Sequence, residues 1–160
     1  MRFIHYSDVP VPKVEPKLQD GHDSRDSKPI GLWLSVIGED GSDSWKKYCE
    51  QTNKPLGPHR IEIVIKENVV LHVRNAAEID KLTRTYGYFP ECREHEKSHP
   101  DFARSAICWR RVAEKYDGIV VAPECVERRR EPLWYYTWDC ASGCVWSPNA
   151  VKELKPLSQA

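Results

Sequence analysis

Tyr116-Asp117-Gly118-Ile119-Val120-Val121, then the aromatic run Leu133 to Trp138, then Asp139-Cys140-Ala141-Ser142-Gly143-Cys144-Val145-Trp146-Ser147-Pro148-Asn149: in this order the chain presents its most informative stretch. The first segment reads as a strand, and the aromatic run reads as a second. The third is a small-residue crossing that enters another strand, closed by Pro148-Asn149. Strands separated by a short polar crossing describe a sheet built around a cleft. The polar residues between the two aromatic segments, Asp139 to Ser142, are where a site is expected.

Working outward, Phe102, Ala106, Trp109, Ala113 and Tyr116 recur at four-three-four-three spacing, which predicts a helix over 102–116 that delivers the chain into the Gly118 to Ala122 strand. Further upstream, Ile61, Ile63 and Ile65 alternate with Glu62, Val64 and Lys66. Val69, Leu71 and Val73 alternate after the short Glu67-Asn68 connection, so a hairpin is expected. Asn75 with Glu78 three residues on is a variant capping box, and Ile79, Leu82 and Tyr86 supply the buried stripe of a helix that Gly87 stops. Ser42-Asp43-Ser44 caps another, with Trp45, Tyr48, Cys49 and Thr52 on one face. Pro29 to Ile37 reads as a buried strand and Arg2 to Ser7 as a short N-terminal one. Residues 8–29 between them, rich in Pro, Asp, Lys and Ser, are expected to form a mobile loop. The pattern is that of one mixed α+β domain over residues 1–160, with a mostly antiparallel or split sheet and a few short helices.

Composition narrows the partners. With 160 residues the chain is one domain by length, large enough to bury roughly two thirds of its unfolded surface. Lys plus Arg number 24 and Asp plus Glu number 24, a formal net charge of zero, so binding nucleic acid mainly by phosphate neutralisation is disfavoured. Arg128-Arg129-Arg130 reads as a solvated loop. No apolar run is long enough to span a membrane, and Met1 to Ser7 lacks the apolar core of a signal peptide, so the expectation is a cytoplasmic protein without a membrane partner. The six cysteines show no secreted spacing pattern and are expected to be mostly reduced and buried.

Two cysteine-containing groups are set aside on chemical grounds. Cys92, His95 and His99, with Cys108 nearby, are zinc-type ligands in an incomplete spacing between Pro90 and Pro100, and no metal site is expected. Cys140 and Cys144 have no basic partner visible in sequence and read as packed thiols rather than nucleophiles. His5 stands out more, because strand alternation puts His5 and Ser7 on one face. Trp33 and Ser35 lie on a second strand, Asp139 and Ser142 near a third. A histidine, a stacking aromatic ring and an acid gathered from three strands can hold a flat cationic ring and the hydroxyls of its sugar.

In the order of its elements the chain resembles the ADP-ribosyltransferase superfamily, in its diphtheria-toxin-like and PARP-like branch. The residues that carry the likeness are Phe3-Ile4-His5-Tyr6-Ser7, Gly31-Leu32-Trp33-Leu34-Ser35, Tyr116-Asp117-Gly118-Ile119-Val120-Val121 and Cys144 through Pro148-Asn149-Ala150-Val151-Lys152. The resemblance implies a split sheet around an NAD-binding cleft and cleavage of NAD+ between nicotinamide and ribose. It implies that His5 and Ser7 bind NAD+ and that Trp33 and Ser35 line the nicotinamide pocket. ADP-ribose is then expected to pass to a macromolecular acceptor, protein slightly favoured over nucleic acid, in the setting of a bacterial or phage effector or toxin. The chain departs from the family at the catalytic glutamate. Alignment on Pro148-Asn149 puts Ser142 there, the closest acid is Asp139, and Glu124 and Glu127 lie on the connection between the late strands. Either Asp139 serves as the acid with Ser142 in support, Glu124 reaches in from the loop, or the chain is a catalytically silent binding module.

Overall fold

The computed structural model describes residues 1–19, 28–87 and 106–157. Among these residues seven strands form one sheet: β1 (Arg2–Ser7), β2 (Leu32–Ile37), β3 (His59–Ile65), β4 (Val70–Val73), β5 (Gly118–Val121), β6 (Ser142–Val145) and β7 (Val151–Leu157). Their order is β4-β5-β6-β2-β1-β3-β7, antiparallel throughout except for the β4–β5 pair. Among the described residues four α-helices accompany them: α1 (Ser44–Thr52), α2 (Ala76–Tyr86), α3 (Trp109–Ala113) and α4 (Leu133–Tyr136). The expected α+β class with a mostly antiparallel sheet is what the chain adopts, although the sheet is continuous rather than split into two.

The expected β3–β4 hairpin does not form. Both edges of β3 are occupied, by β1 and by β7, and β4 pairs in parallel with β5 instead. Val69 lies in a 3-10 turn over Glu67–Val69, and Val70 begins the strand. This short connection bends the whole sheet. In a flat sheet β3 and β4, five strand spacings apart, would be separated by about 24 Å. The five steps from Ile65 to Val70 span at most about 17 Å when fully extended. The sheet must therefore coil until its two ends approach, and Lys66 N donating to Ala150 O (2.8 Å) and Asp117 N to Val69 O (2.8 Å) join the segments that meet there. Phe3, Ile61 and Ile63 from one end consequently share a core with Val70 and Val120 from the other.

The outer face of β4, β5 and β6 carries a second core, covered by α2, α3 and α4. Residues of β5 are buried on both faces, which explains why Ile119-Val120-Val121 reads as an unbroken apolar run. α2 forms where its cap predicts. Asn75 Oδ1 accepts from Glu78 N at 3.0 Å, and Glu78 Oε2 reaches back to Arg74 N at 2.6 Å, one residue before the position a standard capping box uses. Gly87 closes the helix by donating to Thr83 O, an oxygen that a β-carbon at this position would strike.

Two further expectations are corrected. Leu133 to Trp138 is not a strand: Tyr135 N and Tyr136 N both bond Pro132 O, and α4 results. Trp134, Tyr135 and Trp138 bury while Tyr136 between them is exposed, which breaks the alternation of a strand. Only Trp109–Ala113 of the expected 102–116 helix is α-helical among the described residues, because Cys108 N bonds Tyr86 O and Ile107 bridges to Gly87, holding that stretch extended against the end of α2. Residues 8–19 have no regular structure and are mostly exposed, with a few points of attachment to the rest of the fold. Val14 is buried, Lys17 N donates to Trp146 O, and the Gln19 amide clamps both the N–H and the C=O of Ile30.

Candidate functional site

The site lies where β1 and β2 part. Their ladder runs from Arg2↔Ile37 to Ile4↔Ser35, whereas β1 stays paired with β3 as far as Ser7↔His59 and β2 stays paired with β6 as far as Leu32↔Val145. Beyond Ile4 the two strands thus follow different neighbours. Past the end of the ladder His5 Nδ1 meets the Trp33 carbonyl oxygen at 2.7 Å. A cleft of about 420 Å³ occupies this region, and His5, Trp33, Ser35, Asp139 and Ser142 all line it. Gly31 lies in its wall, where a β-carbon would collide with Val145 O and Cys144 Sγ.

Each lining side chain is fixed by its surroundings. The indole of Trp33 packs on that of Trp138, ring centroids 5.0 Å apart, which ties the cleft to the aromatic core. Ser35 is buried. Its hydroxyl donates to Asp43 Oδ1 at 2.5 Å and accepts from Trp45 N at 2.9 Å. Asp43 is also the N-cap of α1, taking Lys46 N, and it accepts from Tyr6 OH at 2.6 Å. One carboxylate therefore links β1, β2 and α1, and Ser44 Oγ extends the linkage to Ala141 O at the start of β6. Burial, then Asp43, pushes the Tyr6 phenol far above its ordinary value, so it stays a neutral donor.

Asp139 sits at the cleft mouth with its side chain about one third exposed. Lys28 Nζ lies 3.0 Å from Oδ2 and Tyr48 OH 3.2 Å from Oδ1, while the Arg129 guanidinium donates to its backbone carbonyl. Ser142 Oγ donates to Cys140 O at 3.0 Å, and Ser142 stands opposite Ser35 in the β2–β6 ladder. A second cleft, about 480 Å³, adjoins the first and shares Lys28 and Asp139, with Tyr48, Arg129, Tyr136 and Thr137 completing its wall.

Two expected residues stand apart. Ser7 Oγ is turned to Val9 O, and Glu124 pairs with Arg129 at 2.6 Å; neither lines the cleft. Lys28, Tyr6, Asp43 and Tyr48 were not anticipated as site residues. Asp43 read only as a helix cap and Tyr48 only as one of the residues on one face of that helix, and neither reading shows where α1 is carried. Cys140 also lines the cleft; burial pushes its thiol up to about 11, so at neutral pH it is a protonated, packed group, as its lack of a basic partner suggested. The described cysteines 49, 108, 125, 140 and 144 are all free and buried. Cys92, His95 and His99 lie outside the described residues, and among the described residues no group of three or more His, Cys, Asp or Glu is placed to hold a metal. Among them, too, no helix is long and apolar enough to cross a membrane.

The His5 imidazole is held below its ordinary 6.5 by burial, against the opposing effect of the Trp33 carbonyl. A depressed histidine pKa means that the unfolded chain takes up the proton first as pH falls. Stability attributable to His5 is thus intact above about pH 6.5 and is lost as pH drops through the lowered folded value. Urea midpoints measured at pH 7.5 and pH 5 should fall more in the wild type than in His5→Asn, which has no titrating group there. Equal losses in the two proteins would contradict this assignment.

Comparison of the chain with family models, with curated proteins and with solved structures gives no match in any of the three.

Proposed function

We propose that this chain binds NAD+ in the cleft and transfers ADP-ribose to a macromolecular acceptor. The observation that carries the reading is convergence. His5, Trp33 with Ser35, and Asp139 with Ser142, singled out from three distant segments for the chemistry they could perform on a cationic ring and its sugar, line one cleft. Its volume of about 420 Å³ falls within the roughly 300–1,000 Å³ typical of small-molecule sites.

The geometry supports a role for each. With Nδ1–H committed to the Trp33 carbonyl, Nε2 of the neutral His5 ring is an acceptor for a ribose hydroxyl. Trp33 offers an aromatic face to nicotinamide, and Ser35, pinned by Asp43, lines the same pocket. As the bond from the ribose carbon to the nicotinamide nitrogen breaks, its electron pair leaves with nicotinamide and the ribose carbon becomes electron-poor. The Asp139 carboxylate stabilises that charge more than it stabilises the intact substrate. The acceptor's nucleophile then bonds to the ribose carbon and gives up its proton. Zero net charge favours protein over nucleic acid as acceptor. One observation favours the alternative of a silent binding module: both Asp139 oxygens already have partners, Lys28 and Tyr48.

A ligand that binds only the folded state raises stability by mass action, by about 2.7 kcal/mol at a hundredfold excess over Kd. NAD+ should therefore raise the wild-type Tm. His5→Ala should fold normally and lose the shift; an undiminished NAD+ response in that variant would remove His5 from the site.

A further inference from the structure

We infer that Lys28 is a resident cation occupying the cleft's seat for a planar organic cation, and that such a ligand binds by displacing it. The inference rests on the NAD+ reading for the identity of the natural ligand, but its own basis is geometric. Lys28 Nζ lies 5.4 Å from the centroid of the Trp33 ring and 3.0 Å from Asp139 Oδ2. One ammonium thus sits between an aromatic face and a carboxylate. These are the two features that stabilise a flat cationic ring, such as nicotinamide while it is joined to ribose.

Lys28 is well suited to leave. Its side chain is only about a quarter exposed, at 28%, yet it lines both the first cleft and the adjoining one, so rotation about its four-carbon stem can move the ammonium from one to the other. No second lysine is positioned to take its place on Trp33 among the described residues. Lys54 lies over the Tyr48 ring at 4.8 Å and bonds the Tyr48 hydroxyl at 3.2 Å. Vacating the seat takes away the ammonium that pairs with Asp139 Oδ2 and leaves Tyr48 OH on Oδ1, with the Arg129 guanidinium held on the backbone carbonyl, which favours entry of a cation and is indifferent to a neutral ring of the same shape.

The probes are 1-methylnicotinamide, whose methylated ring nitrogen makes it a permanent planar cation, and nicotinamide, its neutral counterpart, titrated by calorimetry into the wild-type chain, Lys28→Ser and Lys28→Arg. Lys28→Ser should bind the cation roughly tenfold tighter than the wild type while nicotinamide affinity stays unchanged, and Lys28→Arg, which keeps a cation in the seat, should remain near the wild type. Cation affinity in Lys28→Ser that is unchanged or weaker than wild type overturns the proposal, and so does equal tightening of both probes, which would mean that only space was gained. Nicotinamide release from NAD+ is read in parallel. Tighter cation binding without release keeps the cation seat and removes the transferase reading; release without tighter cation binding does the reverse.

Discussion

Asp139→Asn is expected to cut the rate of nicotinamide release from NAD+ about a hundredfold or more, a larger effect than the loss of NAD+ affinity that follows from removing the charge beside the cationic ring. The amide has nearly the shape of the carboxylate and can still meet the Tyr48 hydroxyl and the Lys28 ammonium, so the cleft keeps its form. What is lost is the negative charge facing the electron-poor ribose carbon, and removing one preorganised electrostatic group of this kind costs about 3 kcal/mol in the transition state. Ser142→Ala should cost less, because its hydroxyl makes a neutral hydrogen bond to Cys140 O and acts by holding the turn after Asp139. Glu124→Gln is the control: its carboxylate pairs with Arg129 outside the cleft and its loss should leave turnover nearly intact. Full activity in Asp139→Asn together with loss in Glu124→Gln would move the acid to the loop.

Trp134→Ala should destabilise the fold by about 3–5 kcal/mol, read as a lowered urea midpoint at unchanged slope. Trp134 is 0% exposed, and its ring lies 6.2 Å from Trp109, 5.6 Å from Tyr135 and 5.9 Å from Trp138. Its Nε1–H donates to Thr83 Oγ1 on α2 at 2.8 Å, so truncation opens a cavity and also removes the bond to α2, leaving the Thr83 hydroxyl only its bond to Ile79 O. Trp134→Phe keeps most of the volume and should recover most of the loss. A cost under about 1 kcal/mol for the alanine variant would mean that this aromatic cluster does not anchor the helices to the sheet.

The elements of the fold were legible wherever local periodicity and burial agree. β1, β2, α1, α2, β5 and β6 stand where their sequences put them, and the caps at Asp43 and Asn75 make the bonds that their residue types predict. Pairing was not legible, since β3 and β4 look like a hairpin in any local window and only competition from β1, β7 and β5 decides otherwise. β7 escaped notice because it is an edge strand carrying Lys152, Glu153, Lys155 and Pro156, and its outward residues break the alternation that marks a half-buried strand. α4 escaped because aromatic side chains favour strands in general, while here Trp134 and Trp138 must reach one core from successive turns.

In the cleft, His5, Trp33, Ser35, Asp139 and Ser142 were legible because each places a polar or aromatic group on or beside an otherwise apolar strand. Lys28 was not, for the opposite reason. It lies in a polar stretch whose composition says only loop, and its significance arises from a contact with Asp139 that spans most of the chain. Tyr48 and Asp43 were hidden by having sound local roles in α1.

The most direct measurement incubates the purified protein with NAD+ carrying one label on nicotinamide and another on the adenylate half, in the presence of a cell lysate, and follows both labels. The account expects nicotinamide to be released and the adenylate label to become fixed to macromolecules, to protein rather than nucleic acid, with His5→Ala and Asp139→Asn both strongly reduced. Absence of release from a folded wild type, or release that both variants leave undiminished, would contradict it.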